Sequence, residues 1–207
     1  MGHAAATEPV SHSKIDASVH AWLRTFTAEA HARAEQAVMR ALAPLGYERY
    51  GDYLERVLAL YEPLEQALWS SAALRIVLPD ADLRRKVPWL REDLAALGRE
   101  HRAFAAPPEL PSLETPLEQL GAAYVVEGAT LGGRVLLARL RASGVLHGSR
   151  RGARFLSGYG SQGAALWHAF RSALNGAACC QADWTRIGVG AVGTFRAYEA
   201  AIAAGAR

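Results

Sequence analysis

The chain has 207 residues, about one domain's worth, and burial at that size supports a core without disulfides. Twenty-three cations against 20 anions leave a formal charge of +3, a small excess for a nucleic-acid binder, and 21 of those cations are arginine. Cys179 and Cys180 are adjacent, a poor arrangement for a structural disulfide or a zinc site, and no stretch reads as a membrane span or a signal peptide, so a cytoplasmic protein with no nucleic-acid or membrane partner is expected.

Forty-two alanines against 16 valines plus isoleucines predict an all-α fold, because alanine loses no side-chain entropy in a helix and β-branched residues do. Residues 1–14 read as a disordered tail and 15–207 as one helical domain. From Ile15 the apolar residues Val19, Trp22, Phe26, Ala30, Ala34, Val38 and Leu42 recur at three or four positions, predicting a helix of about seven turns that Pro44 and Gly46 stop. A second helix is expected over 48–71, kinked at Pro63. A third segment, capped by Asp80 or Asp82 and interrupted at Pro88, turns Trp89, Leu90, Leu94 and Leu97 inward and ends near Gly98. Four prolines mark 105–116 as a linker. A long apolar helix then reaches Ala142 with Gly128, Gly132 and Gly133 in its middle, a glycine-rich loop covers 143–163, and helices over 162–177 and 183–204 close the chain.

Two features carry chemistry. On the opening helix Arg24, Thr27, His31, Glu35, Val38 and Leu42 fall on one stripe. A histidine with a carboxylate one turn on is the arrangement of a metal-ligating imidazole steadied through its second nitrogen; it is also that of an ordinary surface ion pair. Three glycines inside a helix cost roughly 3 kcal/mol relative to alanine. Either a flat ligand lies against bare backbone there, with the helix kinked over it, or the glycines mark a plain break or the close packing of a neighbour.

Three segments together resemble the haem oxygenase family: LRTFTAEAHARAEQAV (23–38), YVVEGATLGGRVLL (124–137) and WHAFRSALN (167–175). The likeness runs from about residue 20 to 202, and EGATLGGRVL is similar to the bacterial enzymes that accompany bacteriophytochromes. It implies a single-domain fold with haem b between the first helix and the kinked glycine helix. His31 would be the iron ligand and Glu35 its partner. Gly128 and Gly132 would lie over the distal face, with Gly133 allowing the bend, while Arg171, Arg24 and, less directly, Tyr124 would contact the propionates. The implied reaction uses O2 and electrons from a ferredoxin or reductase to give biliverdin, carbon monoxide and Fe2+, with a bacteriophytochrome as acceptor of the biliverdin. A haem-buffering protein of the same fold, or haem breakdown for iron, is the alternative. Ala129 departs from the aspartate of mammalian members. His20, eleven residues before His31, reads as a surface residue.

Overall fold

A computed structural model of the chain describes residues 18–99, 109–146 and 151–204, and all regular structure among them is helical. The expected tail over 1–14 and the first part of the proline linker lie outside the described residues. Ser18 begins helix α1 (Val19–Phe26) by accepting the Ala21 N–H on its hydroxyl. Helix α2 (Ala28–Ala41) follows after one residue, so the single helix of seven turns expected from Ile15 is two. The step falls at Thr27, whose Oγ1 donates to the Leu23 carbonyl at 2.8 Å. Such back-bonding bends a helix. The ladder still passes through it, from Thr27 N–H to Leu23 O and from His31 N–H to Thr27 O.

Helix α3 (Tyr47–Trp69), with Pro63 inside it, buries Tyr50, Leu54, Val57, Leu60, Tyr61, Leu64 and Leu68. Ser71 caps the short α4 (Ala72–Val77), and a 3₁₀ turn at Ala81–Arg84 leads to α5 (Val87–Ala96). Pro88 sits in the first turn of α5, where its missing N–H has no intrahelical partner to lose. The expected interruption there is a helix start. Gly98, at φ +70°, ends that segment in a conformation that favours glycine. Arg99, next along, binds Glu48, Asp52 and Glu55 and ties the end of α5 to the start of α3.

Thr115 and Glu118 form a reciprocal capping box at the start of α6 (Pro116–Ala142). This helix is unbroken through Gly128, Gly132 and Gly133, which removes the plain-break reading. Over an 18-residue window its mean hydropathy reaches 1.2, so by length and composition it could cross a bilayer, contrary to the expectation that no stretch could. Half of that window is buried inside the protein. Short α7 (Arg154–Ser157) and a 3₁₀ turn at Gly160–Gln162 precede α8 (Gly163–Ala177) and α9 (Gln181–Ala203).

Helix α9 packs on α6, α2 and α3 and so organises the bundle. Its crossing with α6 is backbone on backbone. A Cβ on Gly121 would lie 1.9 Å from the Ile187 carbonyl oxygen, and one on Gly190 would lie 2.1 Å from that of Glu118. Only glycine permits that approach.

Candidate functional site

Helices α2 and α6 both rest on α9, and the space over α9 between them is the candidate groove. Near one end the Thr27 and Tyr124 side chains are hydrogen-bonded. Towards the other, Arg139 Nη1 donates to Met39 Sδ at 3.1 Å. Thr27 to Met39 spans about 18 Å of helix rise, and His31 lies between them.

The His31 side chain is 54% exposed. Its Nδ1 is 3.8 Å from Glu35 Oε2, and its ring stands edge-on to Phe195 of α9, with centroids 5.3 Å apart. With Nδ1 turned towards Glu35, Nε2 is the nitrogen available to a metal. On α6 a Cβ added to Gly128 or Gly132 would meet nothing within 4 Å. These two glycines face open space, and Leu131, Val135 and Met39 are exposed apolar neighbours. Gly133 has a different setting: a Cβ there would come within 3.1 Å of the Leu156 carbonyl oxygen, so its bareness admits the α7 turn.

Arg24, Arg171 and Tyr124 gather at the Thr27 end. Neither arginine has a carboxylate partner among the described residues, and Arg171 Nε is buried with no hydrogen-bond acceptor. Both act on His20, whose imidazole pKa is held below the ordinary histidine value by burial first and then by Arg171 and Arg24. Burial pushes the Tyr124 phenol up. The His20 ring stands edge-on to Tyr124 and Trp167, at centroid distances of 6.2 Å and 5.7 Å. Sequence reading set His20 aside, although it lies one turn before Arg24 on the same helix face.

A second cluster, also missed, sits behind the glycines. Glu127, immediately before Gly128, is buried and receives Arg84, Lys86 and the Tyr159 hydroxyl. Arg84 also binds Asp80 through two nitrogens, at 2.8 Å and 2.7 Å. Burial lowers the Lys86 pKa, against the attraction of Glu127. The available signal was compositional: Lys86 is one of only two lysines in the chain. Arg134 Nη2, farther along α6, donates to the Gly160 carbonyl at 2.6 Å. The back of α6 is thus fastened along the stretch whose front is open.

Two surface hollows lie elsewhere. One of about 540 Å³ is lined by Glu92, Ala95, Ala96, Arg151 and Gly152, and one of about 300 Å³ lies between α6 and the Ser157–Gly160 turn. Neither gathers groups that converge on a ligand. The groove does: an available imidazole, a bare opposing wall, and cations without anions at one end. That set suits a flat, largely apolar dianion that carries a metal.

The sequence pattern of the family described as "Heme oxygenase" matches residues 17–204. A protein of Xanthomonas campestris pv. campestris (strain 8004) named "Heme oxygenase" is 36% identical over 94 residues, 45% of this chain. The chain spans about half the length, 54%, of that curated relative. The fold is similar to that of the heme oxygenase from Neisseria meningitidis, solved with NO and CO bound, at a TM-score of 0.77 and 22% identity over 90% of each chain. It is also similar to heme oxygenase from Leptospira interrogans, at 0.71 and 20% identity, covering 90% of this chain and 99% of that one.

Proposed function

This chain belongs to the haem oxygenase family, and from that premise we propose that it cleaves haem, using O2 and externally supplied electrons, to biliverdin, carbon monoxide and Fe2+. The observation that carries the reading is the half-exposed His31 on a groove whose α6 wall is bare at Gly128 and Gly132. Haem b fits the residues present, because the partnerless Nε of Arg171 and the unpaired Arg24 are suited to its two carboxylates.

Haem supplies the iron centre at which oxygen is reduced and is itself the molecule consumed. In this reading His31 holds the iron through Nε2 while Glu35 steadies Nδ1. Gly128 and Gly132 would offer bare backbone, with room for water, to the bound group, so no side chain at those two positions would crowd it. Arg24 and Arg171, with Tyr124 beside them, bind the propionates. They therefore fix the rotation of the ring in its plane and so which meso carbon is cut. Electrons come from a ferredoxin or reductase, since the sequence carries no flavin or dinucleotide fingerprint. We assign the biliverdin to a bacteriophytochrome on the likeness of residues 127–136.

Loading with haem under nitrogen, followed by ascorbate or reduced ferredoxin in air, should replace the Soret band with the absorption of biliverdin. A Soret band that persists with no biliverdin formed would overturn the oxygenase reading and leave a haem carrier. His31→Ala should keep the helical fold and lose normal turnover, because the half-exposed ring contributes little packing. Full activity in that variant would remove His31 from the iron. Co-expression with an apo-bacteriophytochrome and haem supply should yield a photochromic holoprotein; an apoprotein left colourless would direct the biliverdin elsewhere.

A further inference from the structure

His20 stands at the carboxylate end of the groove, and nothing said so far gives it a role. Its backbone N–H donates to Asn175 Oδ1 at 3.3 Å, but no described residue hydrogen-bonds its ring. The ring is nonetheless fixed in place, edge-on to Tyr124 of α6 and to Trp167 of α8. Around it, α1 contributes Arg24, α6 contributes Tyr124, and α8 contributes Arg171. No carboxylate is among the groups acting on it. A partly buried ring nitrogen with no protein partner is left to water or to a ligand. The His20 ring stands beside two cations that have no carboxylate partner among the described residues, with both its nitrogens left over.

We propose that His20 is a further binding residue for the carboxylates of the tetrapyrrole, and that it takes up a proton as they bind. The inference rests on the haem reading above. In the free protein partial burial first, and then Arg171 and Arg24, hold the imidazole below the ordinary histidine value and so neutral at pH 7. Two carboxylates entering between the arginines cancel that repulsion and add an attraction of their own, so the bound-state pKa rises above the free one. A ligand that prefers the protonated form must bind more tightly as pH falls through the window between those two values. Above the bound-state value the histidine is neutral in both states, and the contribution is gone.

The test is proton counting. Haem is titrated into the full chain near pH 7 by calorimetry in two buffers of different ionisation enthalpy, for wild type and for His20→Gln. Ligation at His31 moves protons too, but equally in both proteins, so the difference between them isolates His20. We expect wild type to take up more protons than His20→Gln, by up to about one per haem. The two should share the same Soret position, since the iron ligand is untouched, and the variant's affinity should lose part of its strengthening at lower pH. Haem with both propionates esterified should abolish the difference. Haem binding with identical proton counts in the two proteins would overturn the role of His20 and leave the haem reading standing. Failure of wild type to bind haem at all would overturn both. A difference that persists with the diester would tie the proton to something other than the carboxylates and would likewise overturn the proposal.

Discussion

Two groups of cations flank the middle of α6, and they are finished to different degrees. Behind the helix Arg84 and Lys86 are fully buried, and each meets Glu127, with Asp80 and the Tyr159 hydroxyl completing the set. In front, Arg24 and Arg171 have no acid among the described residues, and one buried nitrogen of Arg171 has no acceptor among them. A buried charge without a partner is costly. The first group is buried and has met that cost within the chain; in the second only Arg171 Nε is buried without an acceptor, while Arg24 is exposed and free to meet an anion from outside. The number of cations is the same on both sides. What differs is the supply of anions.

Breaking the finished group should have the larger effect. Glu127→Ala leaves Arg84 and Lys86 facing each other in the interior, and the loss of one partner of a buried pair costs about 3–5 kcal/mol. The urea midpoint should fall accordingly; a midpoint within error of wild type would show that the network is not what fastens α6. Arg171→Ala should do the reverse. Its unfolding midpoint should stay near that of wild type, while haem affinity drops by about 1.5–3 kcal/mol, the worth of a charged hydrogen bond, with the product spread over more than one biliverdin isomer. A large loss of stability with unchanged affinity would invert the assignment of the two groups.

A buried acid held mainly by backbone N–H groups sharpens the contrast. Asp93 accepts the N–H groups of Arg154 and Phe155, and burial raises its pKa from the ordinary 3.8 to about 6. The unfolded chain releases that proton near 3.8 and the folded chain holds it to about 6. The native state therefore binds more protons in between, and stability falls as pH rises through that window. Asp93→Asn should flatten this slope in unfolding midpoints taken from pH 4 to 7. An unchanged slope would place the titration elsewhere.

Much of the helical framework was legible in the sequence because apolar spacing and caps are local. Gly98, read as the end of its segment, acts within a turn of itself, whereas Pro88, read as an interruption, is a helix start, and the Thr115–Glu118 box went unread. The step at Thr27 was hidden because the apolar stripe runs across it in phase, while the hydroxyl that bends the chain is one atom of one residue. The stripe of Arg24, His31 and Glu35 was visible for the same reason that helix periodicity is. The network on Glu127 was not, since Arg84 and Lys86 lie about forty residues away from it and meet it only through the fold. His20 was within reach of a local reading, but its neighbours Tyr124 and Trp167 come from two other helices.

Gly121, Gly128 and Gly132 lie seven and eleven positions apart, which at about 100° per residue places them within roughly 20° of one line along α6. At the first of them the backbone of α9 is seated against the line; at the other two nothing is. One bare line on one helix is thus a seam for half its length and a berth for the rest. The seam sets the rotation of α6 about its own axis, and thereby turns bare backbone, instead of the neighbouring side chains, to the open side farther along.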